Sequence, residues 1–312
     1  MNRRTLFAAL TSVAAFSLAA AAAAQTPPVV RTADPVKRGL RLTDFPRTIK
    51  VADNVYTYED FHAGPEKFTT TNLFVVTDEG VLVADGQGSV PETKGLVDAI
   101  GKVTTQPIKY VVIASDHGDH TAGNASFPAD VTYIVHPTSK AILDRSPNSW
   151  KPPASAVLVA EKKSLTLGGE PIDILFLGRA HTGGDLAVSL PRRKILFLSE
   201  IFLNRVFPAM RSAYPAEWLK TLDKAEALQA DLYVAGHGFT EQPVVSREEI
   251  RMYHKALAAV ITEATRLHTA GVPVDEAVKQ ANWGEYAGWT LASSQGPIAI
   301  RKVYEELDGK LR

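Results

Sequence analysis

Between residues 48 and 84 the apolar positions fall in short runs broken by turn residues. That spacing predicts paired strands: Thr48 to Val51 with Val55 to Glu59, then Asn72 to Val76 with Val81 to Ala84. Asp78, Glu79 and Gly80 form the hairpin turn of the second pair. The period then changes. Leu96, Val97 and Ile100 share one helical face, which predicts a helix over 91–103 with Ser89 as its cap. Tyr110 to Ala114 is a continuous apolar, β-branched run, the mark of a strand covered on both faces. A strand at 131–135, a helix at 137–143 and a Ser/Pro-rich loop at 146–156 follow. Further strands are expected at 164–167, 172–177, 186–190 and 195–198. Next come a helix at 216–230, whose apolar face includes Trp218, Leu219, Leu222 and Leu228, and a strand at 232–235. From Ser246 onward the pattern is helical, over 251–268, 274–281 and 297–311.

No repeat, low-complexity tract or long linker interrupts the chain beyond the first residues, so one domain is predicted. Strand pairs and βα units arranged in two halves imply layered sheets with helices outside. The expected divisions are a signal peptide at 1–24, a Pro- and charge-rich lead-in at 25–47 that is loose or wraps the surface, a main domain at 48–245, and a helical C-terminal extension at 246–312 packed on it. Arg3 and Arg4, the Ala-rich apolar stretch from Leu6 to Ala24, and Ala22-Ala23-Ala24 before Gln25 carry the export signal. The paired arginines resemble a twin-arginine signal, and an ordinary secretory signal fits equally. Either predicts a periplasmic or secreted protein. Alanine adds little membrane affinity and the cleavage pattern is present, so an uncleaved anchor is not expected, nor is stable membrane insertion once the leader is removed.

Composition narrows the chemistry. The chain has 312 residues and 45% hydrophobic content, enough to fill a sizeable core. Its 34 basic and 34 acidic residues balance to zero, with no basic run, which argues against a nucleic-acid partner. Cysteine is absent, so disulfides and thiolate ligands are excluded together and any metal must be held by imidazole and carboxylate.

The candidate ligands sit where predicted strands stop. After the 110–114 run come Ser115, Asp116, His117, Gly118, Asp119 and His120. On a regular strand Asp119 and His120 would diverge, so a reversing turn is expected there, with Thr121 starting a short helix. After the strand at 172–177 comes Gly178-Arg179-Ala180-His181-Thr182-Gly183-Gly184-Asp185; after 195–198 come Ser199 and Glu200; after 232–235 come Gly236, His237 and Gly238. Polar residues among small ones at several strand ends are what a single cleft built from converging loops requires.

These four segments, in this order and spacing, resemble the metallo-β-lactamase superfamily, over roughly residues 50 to 240. The resemblance implies an α/β fold, a four-layer αββα sandwich with a helical C-terminal extension, and a dinuclear metal cleft, commonly zinc. Carried over by position, one ion takes His117 and His181, and the other Asp119, His120 and His237. Two positions depart from the family's pattern. Its first motif is His-x-His-x-Asp-His, where this chain has Ser115 in first place, and its bridging aspartate is here Glu200. A serine hydroxyl is a poor ligand, so the first site is expected to bind more weakly. The longer Glu200 can bridge the ions or replace the lost ligand, and Asp116 is a further candidate. A single occupied site of Asp119, His120, His237 and Glu200 is the alternative, and iron or manganese also suits such donors.

The site implies hydrolysis. A bound metal brings water toward a neutral pKa and so supplies hydroxide in the cleft, and Asp119 can orient the nucleophile or shuttle its proton. The expected substrate is a small-molecule ester, lactone, amide or thioester. Two rivals are a non-hydrolytic oxygenase or lyase of the same fold, and a non-catalytic periplasmic accessory protein with a degenerate first site. His62, in the loop after Phe61, is a candidate substrate contact. Asp185 reads as an acid that supports a ligand from behind or stabilises its turn, Asp85 as structural, His136, His254 and His268 as surface residues, and Trp218 as helix core. Specificity is expected from loops 59–70 and 146–156, from Asn204 to Tyr214, and from the C-terminal helices with Trp283 and Trp289. Oligomeric state is left open.

Overall fold

A computed structural model describes residues 31–61 and 67–311. The expected signal peptide, the first part of the lead-in and His62 lie outside the described residues. Two mixed sheets form the centre of the molecule. The first runs in chain order through β1 (Arg47–Ala52), β2 (Val55–Phe61), β3 (Thr69–Thr77), β4 (Gly80–Ala84), β5 (Ile108–Ile113), β6 (Thr132–Val135) and β7 (Val157–Leu158). Its first half is an antiparallel meander, and from β4 onward the neighbours are parallel. The second sheet comprises β8 (Lys162–Leu167), β9 (Glu170–Leu175), β10 (Ala187–Leu190), β11 (Ile195–Phe197) and β12 (Leu232–Val234), antiparallel except for the β11/β12 pair.

The period-two arithmetic of strands explains the continuous apolar runs. Leu73, Val75, Leu82, Ala84 and Val112 point inward, where they meet Ile172, Ile174, Val188 and Phe197 of the second sheet. Their neighbours Phe74, Val83, Val111 and Ile113 point the other way, onto Leu96 and Ile100 of α1 (Val90–Val103). Ser89 caps α1 as expected, its side chain accepting from the Glu92 amide. The far face of the second sheet, with Leu196 and Tyr233, is covered by Trp218, Leu222, Leu257 and Val260. Those residues belong to α4 (Pro215–Ala227) and α5 (Pro243–Thr269). The layers are therefore helix, sheet, sheet, helix.

Three boundaries correct the sequence expectation. The turn expected around Asp119 is helical: α2 (Gly118–Thr121) begins at Gly118 and ends at Thr121, where a helix start was expected. Helix α5 begins at Pro243, not Arg251; Ser246, Glu249 and Ile250 are buried along its first turns, and two polar residues among three hid the apolar stripe. The last long helix, after α3 (Pro137–Arg145) and α6 (Val274–Gln280), is α7 (Ala292–Leu307), which contains Pro297 in its interior instead of starting there.

The described part of the lead-in wraps the surface and is anchored. Ala33 is buried in the core beneath the C-terminal helices. Arg31 bonds both oxygens of Glu249 at 3.0 Å, and Arg205 reaches Glu249 Oε1 at 2.8 Å. Arg38 and Arg205 share Glu241, at 2.8 and 3.6 Å. Glu249 is thus a buried anion between two guanidinium groups, and removing one member of such a cluster strands the others. Glu249→Ala is expected to cost about 3–5 kcal/mol in urea unfolding. Val244→Ala on the same helix, 61% exposed, is expected to change stability by less than about 0.5 kcal/mol.

Candidate metal centre

The chain brings four strand ends to one rim of the sandwich. β5 delivers Ser115, His117, Asp119 and His120 through α2; the loop after β9 delivers His181; the turn after β11 delivers Glu200; and β12 delivers His237. The backbone is tightly fixed there. Gly236 passes so close to Ser199 that a Cβ would lie 2.5 Å from its carbonyl carbon, which requires glycine. His237 is stitched to both sides, bridging to Thr70 and to Leu203. Its carbonyl accepts from the Asn204 amide at 2.9 Å.

Two groups of donor atoms result, Asp119, His120, Glu200 and His237 in one and His117, His181 and Glu200 in the other, each with its donors within 4.8 Å of one another. Glu200 is common to both. Its Oε1 lies 3.0 Å from His181 Nε2 and 3.3 Å from His237 Nε2, while Oε2 lies 3.0 Å from His117 Nδ1. Asp119 Oδ2 is 3.1 Å from His237 Nε2 and 3.7 Å from His120 Nε2. Imidazole nitrogens face each other, His120 with His237 at 3.3 Å and His181 with His117 at 3.1 Å. Imidazole nitrogens and carboxylate oxygens converging at these distances could hold a metal ion, and the donor set fits one in each group.

Partners behind the imidazoles select which nitrogen faces the centre. His120 Nδ1 bonds Asp85 Oδ2 at 3.0 Å, and Asp85 also accepts from Ser199 Oγ at 2.5 Å and from the Ala114 amide at 2.7 Å. His237 Nδ1 bonds the Thr69 carbonyl at 3.1 Å, and His117 Nε2 meets Ser212 Oγ at 3.3 Å. Trp218 packs edge-on against His181, with ring centroids 5.3 Å apart. In the metal-free electrostatics, burial works against charged His117, yet the Glu200 carboxylate beside it pushes the imidazole up to about 10. His237 is likewise opposed by burial and held up at about 10 by Asp119 and Glu200. Burial favours protonated Glu200, but His181, His117 and His120 together hold its carboxyl well below the ordinary range.

Several expectations are corrected by this geometry. Asp85, read as merely structural, is the acid that orients His120; its place at a strand end before Gly86 is the signal the sequence offered, and the structure adds a left-handed backbone with φ of 64°. Asp116 belongs to neither donor group and lies buried beside the site. His136 is buried instead of superficial: its side chain caps α3 by accepting from the Thr138 amide at 3.1 Å, and it stacks on Phe176. Asp185 does hold its turn, accepting from Thr182 N and Oγ1 at 2.6 and 2.5 Å. His254 and His268 pair with Glu226 and Asp308 at 2.9 Å.

A cavity of about 220 Å³ opens over the donors. Its apolar wall is Phe68, Leu203, Val206, Ala209 and Leu291, and Arg211 and Gln295 add polar groups. Segment 204–214 and the start of α7 therefore border the cleft as expected. The 146–156 loop does not: its Trp150 packs on Tyr133 along the outer face of the first sheet. Trp283 and Trp289 do not line the cavity either; Trp283 supports Phe207 edge-on, and Trp289 is buried in the core.

Fold and site together define a metal-binding αββα protein, and the comparisons say which family. A family model described as the metallo-beta-lactamase superfamily matches residues 67–237, so this chain belongs to that superfamily. It is 24% identical over 237 residues to the 2,4-dinitroanisole O-demethylase subunit alpha of a Nocardioides species, covering 73% of this chain and 68% of that protein. It is also 24% identical over 205 residues to metallo-beta-lactamase IND-1 of Chryseobacterium indologenes, covering 63% and 84%. Among solved structures, a metallo-beta-lactamase from Pontibacter korlensis matches with a TM-score of 0.62 at 20% identity, over 68% of this chain and 98% of that one. That last likeness concerns the fold.

Because Asp85 positions His120 without lying in either donor group, Asp85→Asn is expected to lower affinity for added divalent metal roughly 10–100-fold. Competition with a chromophoric chelator measures this, and a metal-free melting curve separates it from a loss of folding.

Proposed function

We propose that this protein is a metal-dependent hydrolase of a small ester, lactone, amide or thioester, with Glu200 shared between two metal sites. The observation that carries this reading is the common membership of Glu200 in both donor groups, one carboxylate oxygen turned toward His117 and the other toward His181 and His237. His117 and His181 would hold one ion with Glu200, and Asp119, His120 and His237 the other. Zinc is the metal we assign, because the superfamily commonly holds zinc and imidazole and carboxylate donors suit it. When bound, such ions activate water near neutral pH and polarise a substrate carbonyl.

The chain's own groups supply the rest. Asp119 borders the cavity beside His237, where its carboxylate can orient the attacking water and take up its proton. Arg211 and Gln295 can bond the polar end of a substrate while Phe68, Leu203 and Val206 exclude water from the apolar part. Ser115, where the family pattern has histidine, donates its hydroxyl to Glu200 Oε2. The longer glutamate thus takes the place of the missing imidazole. The basic start and Ala-rich stretch of the sequence support export, and among the described residues no helix is long and apolar enough to cross a membrane.

A second reading rests on the group His117, His181 and Glu200, because two imidazoles with one carboxylate also suit iron and oxygen chemistry. Metal analysis of protein purified without added metal, followed by a panel of aryl esters, lactones, thioesters, β-lactams and phosphoesters, decides between them. Two metal equivalents and chelator-sensitive hydrolysis are expected; iron with oxygen uptake and no hydrolysis would replace the proposal by the second reading. If Glu200 fills the space of the absent imidazole, Ser115→His alone is expected to crowd the carboxylate and reduce uptake of the second equivalent. Ser115→His combined with Glu200→Asp is expected to restore it, as counted by elemental analysis.

A further inference from the structure

We infer that Leu291 is the wall that limits the length of the acyl group the cleft accepts. Among the described residues Leu291 alone is common to the linings of the metal-facing cavity of about 220 Å³ and an adjacent cavity of about 430 Å³. The two spaces have different linings. The first is walled by Phe68, Leu203 and Val206, the second bordered by Asp34, Lys37 and Lys67. Leu291 stands where the two linings meet. A cavity of this size falls below the roughly 300–1,000 Å³ of drug-sized ligand sites, so the intact wall selects a compact substrate.

The backbone at this position supports a role for the side chain. Leu291 has φ of 69° and ψ of 3°, a left-handed conformation that glycine adopts freely and leucine does not. Its surroundings impose it. The Phe207 amide donates to the Thr290 carbonyl at 2.8 Å, and Thr290 Oγ1 accepts from the Ala33 amide and pairs with Thr32 Oγ1, both at 2.9 Å. The amides of Ser294 and Gln295 close the start of α7 onto the Leu291 carbonyl at 3.1 and 2.8 Å. Strained non-glycine residues cluster at binding sites, and this one lies at the edge of the metal-facing cavity. Leu291 lies beyond the family's matched span of 67–237, so this wall comes from the chain's own C-terminal extension, braced by its N-terminal segment.

The substrate class that follows, short-chain acyl compounds, rests on the hydrolase reading, and the test keeps the two separable. The full-length protein, with metal content quantified, is compared with Leu291→Gly, Leu291→Ala and Leu291→Phe after each has shown a cooperative melt. Calorimetric titration with acetate, butyrate and octanoate measures binding, and p-nitrophenyl esters of the same chain lengths measure turnover. The preference for octanoyl over acetyl probes is expected to rise roughly tenfold or more in the glycine and alanine variants and to fall in the phenylalanine variant. Val244→Ala is expected to leave the profile unchanged. Length profiles that are the same, or absent, in all four forms overturn the inference. A binding profile that moves with residue 291 while no form turns over any ester retains the wall and removes the hydrolase.

Discussion

A buried carboxylate surrounded by four imidazoles is the constraint on which this structure turns. Glu200 is almost fully enclosed, and an uncompensated charge at that depth would be prohibitively costly. Compensation must come from positive charge within about 4 Å, either protons on His117 and His237 or cations between the rings. The raised imidazoles and the depressed carboxyl are two expressions of that one requirement. The site is therefore built to place positive charge next to Glu200.

Holding those donors together demands a rigid frame, and the double sheet provides it. Alternate residues of β3, β4 and β5 bury in opposite directions, so each strand is locked from both faces and its carboxyl end has little freedom. The polar residues follow immediately, while their chain is still constrained. Asp85 extends this rigidity into the site by tying the ends of β4 and β5, the Ser199 turn and His120 to one carboxylate. Orientation of a metal-type imidazole is thus a consequence of sheet packing transmitted through one buried acid.

The segments outside the family's span do different work. Arg31, Arg38, Arg205, Glu241 and Glu249 form a charge cluster that joins the N-terminal segment, the stretch after Glu200 and α5. Thr32, Ala33 and Thr290 add hydrogen bonds beside the cavity. Both terminal segments therefore brace the cleft wall, which gives a helical extension a part in shaping the site while the donors stay on the sandwich.

Most of the strand and helix pattern was legible in the sequence because periodicity reports which faces are covered. That His117, Asp119, His120, His181, Glu200 and His237 would meet was legible as well, from their places after apolar runs together with the resemblance of the four segments to one family. Tertiary structure decided what depends on partners remote in sequence. Asp85 reaches His120 across 35 residues, Ser115 reaches Glu200 across 85, and Leu291 is common to the linings of two cavities. The start of α5 and the interior Pro297 belong with these, because packing overrode the local signals for a helix boundary. A sequence records the chemistry and local period of each segment; which carboxylate meets which imidazole is set only when separate strands are brought to the same rim.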